Sequence, residues 1–325
     1  MPKLSYAIIG TGAIGGYYGG RLQQAGCDVH FLLRSDYQQV LDSGLRIESV
    51  DGDFVLPQVN AYNNPENLPP VDVIIVALKT THNQRLWELL PALKPGGAIF
   101  SLQNGLGVEA EIVKQLEEKK ISVSHILGGL CFICSNKVGP GHIRHLDYGR
   151  VLLGTHTKGD QPCELTSMLS AIASDFERAN LPTQTTNDLP MARWQKLVWN
   201  VPFNGLSVVL DATTEEMMAD SGVRSLITTL MQEVISTANA WGESVSPGTR
   251  RHLSSSIAQE MLAHTETMSL YRTSMKIDYD EGRPLEIEAI VGHPLRIAQQ
   301  LDIVTPSMSM LYQQLTFLDR KNGSL

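Results

Sequence analysis

The sequence predicts an α/β fold in which a doubly wound parallel sheet is followed by an all-helical C-terminal domain. Three observations predict it. Through the first half, short apolar runs alternate with helical stretches, the rhythm of β-α-β units. A glycine-rich turn, Gly10-Thr11-Gly12-Ala13-Ile14-Gly15, joins the first run to the first helix. After Gly154 the strand-like runs give way to long helical patterns. At about 150 residues per domain the chain has room for two, and the sequence places them at 1–187 and 188–325.

Residues 4–10 (LSYAIIG) make a short apolar strand and 13–25 a helix, with Gly26 as its stop. Residues 28–34 (DVHFLLR) are the second strand, and Ser35 with Gln38 has the spacing of a capping box for the next helix. Residues 45–50 and 53–59 flank Asp51-Gly52, the strongest short hairpin signal. Residues 71–77 (VDVIIVA) are almost continuously apolar, as a strand covered on both faces must be. A helix over 82–93, a stop at Pro95-Gly96-Gly97 and a strand over 98–103 complete another unit. The helical half reads as 164–179, 190–210, 222–241, 248–264, 284–301 and 306–318, with Pro284 and Pro306 suited to first turns.

Composition narrows the function. The chain has 325 residues, 42% of them hydrophobic, and 26 basic residues against 34 acidic ones. That apolar fraction excludes a disordered chain, and a net charge of −8 removes the electrostatic footprint of a nucleic-acid binder. The longest apolar run, 73–78, falls far short of the ~18–20 residues that span a bilayer. The first residues lack the order of a signal peptide, and four scattered cysteines make no disulfide framework. A soluble, cytoplasmic, enzyme-sized protein is the expectation.

The glycine turn is GxGxxG between a strand and a helix, the context in which it binds a dinucleotide in a Rossmann-type sheet. Gly10 permits the tight turn, Gly12 lets the backbone approach a pyrophosphate, and Gly15 lets the helix lie close to the sheet. The free N–H groups and dipole of the helix start, around Thr11, Ala13 and Ile14, favour phosphate. An NAD site usually carries Asp or Glu at the tip of the second strand. Here the tip is Arg34, whose guanidinium suits a 2′-phosphate, so NADP(H) is the expected cofactor.

Ligands of such sheets bind beyond the carboxyl ends of the strands. Lys79 and Asn104 stand there, positions equally open to a surface lysine and a turn-forming Asn-Gly. In the helical half Lys196, Asn200 and Asn204 fall at i, i+4, i+8 among Leu197, Val198, Trp199, Val201 and Phe203. A lysine and two amides on one face of a buried helix suit a carboxylate or hydroxyl-bearing substrate, although a solvated stripe has the same spacing. Pro202 should disturb that helix. Glu286 follows Pro284 as the N3 residue of a first turn, a capping position as much as a catalytic one. Cys131 and Cys134 form a lone CxxC without further ligands, so they read as small buried side chains, and no metal is expected.

GTGAIGG at 10–16, LLR at 32–34, LKT at 78–80, QNGLG at 103–107, RWQKLVWNVPFNGL at 193–206 and GRPLEIEAIVG at 282–292 make the chain resemble the ketopantoate reductase family over nearly its full length. The last two segments are the specific ones. The resemblance implies NADPH-dependent reduction of a 2-oxo acid, 2-dehydropantoate to pantoate in pantothenate and coenzyme A biosynthesis. It implies Lys196 as general acid and Glu286 beside the nicotinamide ribose and substrate. Asn104 would touch cofactor and substrate, Asn200, Asn204 and Ser274 the substrate, and Arg34 the 2′-phosphate. Where the family carries a further substrate-binding Asn, this chain has Thr214 as the nearest counterpart. The partner implied is a small 2-oxo acid, with neither nucleic acid nor membrane, and a homodimer is the candidate assembly. A related 2-oxo or β-hydroxy acid dehydrogenase and a non-enzymatic NADPH sensor remain the alternatives.

Overall fold

The computed structural model describes residues 3–249, 251–268 and 271–323. Its first half runs β1 (Ser5–Ile9), α1 (Ala13–Gln24), β2 (Asp28–Leu32), α2 (Tyr37–Ser43), β3 (Leu45–Ser49), β4 (Phe54–Leu56), β5 (Asn60–Tyr62) and β6 (Val71–Val76). It continues with β7 (Leu93–Ser101), α3 (Val108–Glu118), β8 (His125–Gly139), β9 (His142–Thr155), α4 (Ser167–Arg178) and β10 (Thr183–Thr186). The second half is helical: α5 (Leu189–Val209), α6 (Thr214–Ala219), α7 (Ser221–Val245), α8 (Ile257–Glu266), α9 (Ser274–Asp280), α10 (His293–Gln300) and α11 (Pro306–Lys321). By contact the chain forms two compact units: Met1–Gln103 with Val108–Leu189, and Asn104–Gly107 with Pro190–Leu325.

The first unit is built on a ten-stranded sheet in the order β4-β3-β9-β8-β7-β6-β1-β2-β5, with β10 beside β9. From β8 to β5 neighbouring strands are parallel, which accounts for the apolar runs: β1 is buried at every residue and β6 at all but Asp72. The strand order reverses beside β1, because β2 lies on one side and β6 on the other. That reversal opens the crevice in which doubly wound sheets take ligands. The Asp51-Gly52 hairpin forms as expected, with β3 and β4 antiparallel and Gly52 at φ 107°. Helix α1 is held from behind by a buried polar group. His145 Nδ1 lies 2.8 Å from Ser49 Oγ, which also accepts from Arg21 Nη2 at 3.1 Å. Burial holds this imidazole below its ordinary pKa.

Several expected elements take another form. The stretch expected as a helix over 82–93 is a series of 3₁₀ turns over Thr80–Leu89, and β7 starts at Leu93. Pro95-Gly96-Gly97 does not stop the chain there. It is accommodated in an irregular register, Val71 opposite Leu93 but Val73 opposite Ala98. The long β8–β9 hairpin, turning at Gly139-Pro140-Gly141, carries no regular alternation, since the middle of β8 is buried residue after residue and its register slips at three bulges.

In the second unit α5 supplies many of the core side chains. Trp194, Leu197, Val198, Val201, Phe203 and Leu206 lie in the core. The helix continues through Pro202 without interruption, so the lost N–H is tolerated within packed surroundings. Caps position its neighbours: Thr213 and Glu216 close a capping box on α6, and Thr273 accepts from Lys276 N at the start of α9. The helix expected over 248–264 begins only at Ile257. The residues before it are tied across α7, where Asn239 bonds both the N–H and the carbonyl of Leu253. Among the described residues no helix is long and apolar enough to cross a membrane.

Candidate active site

Two groups of residues carry the expected chemistry, one in each unit. In the first, Gly10 ends β1 at φ 100°, and a Cβ there would stand 2.6 Å from Leu78 N. The turn is closed by Gly12 N–H donating to Gly10 O at 2.8 Å and pinned to β2 by Thr11 Oγ1 donating to Leu32 O. Gly15 is packed so closely that a Cβ would overlap Gly10 O and approach Ile8 to 2.9 Å. Gly12 differs: nothing lies within 4 Å of where its Cβ would point. Gly12 is also the N-cap of α1, where no side chain caps the first N–H groups and no acid sits in the first turn. Open space in front of uncapped N–H groups at Ala13 and Ile14 fits a pyrophosphate.

The second strand's tip decides the cofactor. Arg34 is exposed and makes no ion pair among the described residues. Asp36, the one nearby acid, is buried and engaged. It accepts from Gly141 N–H at 2.9 Å and pairs with Lys137 at 2.5 Å. Although burial pushes the Asp36 carboxyl up, Lys137, Gly141 and Ser35 together hold it below the ordinary range. A carboxylate so occupied is not free to take a ribose hydroxyl, which leaves the guanidinium facing solvent. Lys79, half-buried, stands at the other rim beyond β6, leading into the 3₁₀ turns.

In the second unit Lys196 Nζ donates to Asn104 Oδ1 at 2.8 Å. Asn104 belongs there because Asn104–Gly107 leaves the end of the β7 run and packs with the helices: Leu106 lies in their core and its N–H donates to Ala289 O at 2.9 Å. Asn200 and Asn204, on the same face of α5, are 6% and 3% exposed, and their amides have no hydrogen-bond partner among the described residues. Neither amide is among the polar groups sealed from solvent without a partner, so both keep donors and an acceptor available to a ligand. Ser274 opens α9 behind its cap Thr273, whose Oγ1 lies 2.8 Å from Ser207 Oγ, one turn beyond Asn204. That link brings the α9 start to the Asn204 end of the stripe.

Two expected positions look different in place. Glu286 is 5% exposed but is not the N3 residue of a helix. Residues 283–286 are irregular, Leu285 N–H is taken by Asp319 Oδ1, and the helix begins at Ile287 with a π-helical segment, Glu288–Gly292. Glu286 instead stands immediately before that helix, its carbonyl accepting from Ile290 N–H at 3.1 Å, so its backbone has an end-of-helix role one turn earlier than expected. Thr214 is 1% exposed, and its Oγ1 and N–H both donate to Tyr271 O at 3.2 Å. Its hydroxyl proton is spent on the irregular segment 271–273 leading to Ser274. Cys131 and Cys134 are buried thiols of β8 that form no disulfide among the described residues.

Arg193 was quoted above only as part of a motif. It is 4% exposed, and its Nη1 donates to Gly105 O at 3.1 Å, one turn before Lys196. The usable signal was its spacing, i−3 from the lysine on a buried helix.

Comparison with known proteins agrees with this geometry. The family model described as Ketopantoate reductase PanE/ApbA matches residues 6–158, and its C-terminal counterpart matches 188–319. A 2-dehydropantoate 2-reductase of Nostoc sp. is 52% identical over 323 residues, covering 99% of this chain and 97% of the relative. The crystal structure of 2-dehydropantoate 2-reductase from Geobacter metallireducens superposes with a TM-score of 0.88 at 40% identity, covering 97% of this chain and 99% of that one. The corresponding structure from Methylococcus capsulatus gives 0.85 at 29% identity, covering 99% of each chain. With both halves matched and a relative at this identity, the chain belongs to the ketopantoate reductase family.

Proposed function

We propose that the protein reduces 2-dehydropantoate to pantoate with NADPH, a step of pantothenate synthesis. The observation that carries the reading is the pairing of Lys196 with Asn104 beside two buried, unpartnered amides. The reduced nicotinamide, when bound, supplies a hydride to the ketone carbon. Lys196 then gives a proton from Nζ to the carbonyl oxygen, so that ketone becomes alcohol. General acid catalysis of this kind typically contributes about 10²–10⁴-fold, and the ammonium also stabilises the oxyanion before the proton moves. Asn104 holds that ammonium in place through its amide oxygen.

The amides of Asn200 and Asn204 bind the polar groups of the oxo acid, which satisfies both. The Ser274 hydroxyl adds a further bond from the α9 start. Glu286, buried in its irregular segment, serves cofactor ribose and substrate. On the nucleotide side Gly10, Thr11, Gly12, Ala13, Ile14 and Gly15 cradle the phosphates, Lys79 lies at the rim, and Arg34 takes the 2′-phosphate.

The test is a panel of 2-oxo acids at matched concentration with NADPH and NADH compared. Turnover should be fastest with 2-dehydropantoate, with NADPH preferred by about 30-fold, roughly 2 kcal/mol. Preference for another oxo acid would make the protein a related dehydrogenase. Tight NADPH binding without turnover on any oxo acid would make it a sensor.

A further inference from the structure

We propose that Arg193 is a positioning residue for the reduction, acting through Asn104 on the orientation of the Lys196 ammonium. The inference rests on the function proposed above and concerns the Asn104–Gly107 segment, which is irregular backbone with no secondary structure of its own to hold it. Its shape is demanding. Gly105 and Gly107 both have positive φ, 101° and 75°. A Cβ on Gly105 would stand 2.5 Å from Ala289, so no other residue fits this turn against the π-helical segment Glu288–Gly292.

Two hydrogen bonds fix the segment from opposite directions. Leu106 N–H donates to Ala289 O at 2.9 Å, and Arg193 Nη1 donates to Gly105 O at 3.1 Å. The first comes from the π-helical segment, the kind of local irregularity that recurs at functional sites. The second comes from α5, the same helix that carries Lys196 three residues on. Arg193 and Lys196 therefore grip adjacent residues of one segment, the backbone of Gly105 and the side chain of Asn104. Because one rigid helix supplies both contacts, the distance from Asn104 Oδ1 to Lys196 Nζ is set by α5 itself. A charge-assisted bond from a buried guanidinium is strong and directional, and a misplacement of about 1 Å at such a site can cost 10²-fold in rate.

The expected consequence is a loss in kcat that passes through Asn104. Arg193→Met removes the donor and should lower kcat about 10- to 100-fold, while KM for NADPH stays within about threefold. Arg193→Lys retains one charged donor and should recover part of the loss. The deciding comparison repeats Arg193→Met in an Asn104→Ala background. If Arg193 acts by placing Asn104, the second substitution adds little, less than about threefold. An equal loss in both backgrounds, or native kcat in Arg193→Met, overturns the proposal. Should Arg193→Met fail to fold, the same comparison is made with Arg193→Lys, whose partial loss must likewise vanish without Asn104. A Lys196→Ala control separates the failures. Full turnover there sinks the proposed function, whereas its loss beside an additive Arg193 effect sinks only this inference.

Discussion

A lysine set among apolar side chains on a buried helix must find an acceptor, and Lys196 finds it in Asn104. The stripe Lys196, Asn200, Asn204 was legible from spacing alone. Whether it was a solvated face or a site was not, because both produce i, i+4, i+8. Burial excludes the solvated face, since Asn200 and Asn204 are 6% and 3% exposed. The distinction is measurable. Asn200→Leu removes an amide that bonds no described protein group, so thermal stability should stay within about 1 kcal/mol of native. KM for the oxo acid should rise, because the substrate loses a bond. Calorimetry and steady-state kinetics on the same variant check both. A destabilised variant with native KM would show that Asn200 serves the fold and not the ligand. Glu286 illustrates the opposite kind of difficulty. Proline two residues earlier suggests the third residue of a first turn, whereas the helix starts only at Ile287 and Glu286 stands just ahead of it, its carbonyl taking the Ile290 N–H.

At the scale of elements, the glycine turn is legible in the sequence because its glycines answer separate steric demands. The structure separates those demands. Gly15 meets backbone and Ile8, whereas Gly12 meets nothing. Gly15→Ala should therefore lower stability by about 1–3 kcal/mol, the usual cost of forcing a methyl into a packed contact. Gly12→Ala sits at φ −92°, ordinary for any residue, and should melt as the native protein does while binding NADPH more weakly. Thermal melts and cofactor titration of the two variants give the contrast, and it fails if Gly12→Ala is the one that unfolds. Other elements left no such trace. The β8–β9 hairpin is bulged at three places and buried continuously only through the middle of β8, so it lacks the alternation that marks a strand pair. The residues before α8 are kept non-helical by Asn239 and Leu253, partners fourteen apart that no local pattern reports.

For the whole molecule, two units were expected from length and from the change of rhythm after Gly154. The sequence puts the divide at 187/188; contact puts it at Leu189/Pro190 and also assigns Asn104–Gly107 to the second unit. No composition shift marks that four-residue excursion, yet it brings Asn104 to Lys196. The net charge of −8 is unfavourable to anionic ligands, so the proposed function asks a few cations to act at short range, Arg34 on the nucleotide and Lys196 on the oxo acid. The central claim is that this lysine is the proton donor of an NADPH-dependent reductase. The most direct measurement is single-turnover reduction of 2-dehydropantoate by Lys196→Ala with NADPH bound. The account predicts native cofactor affinity with the reduction rate lowered by about 10²–10⁴-fold; reduction at the native rate would contradict it.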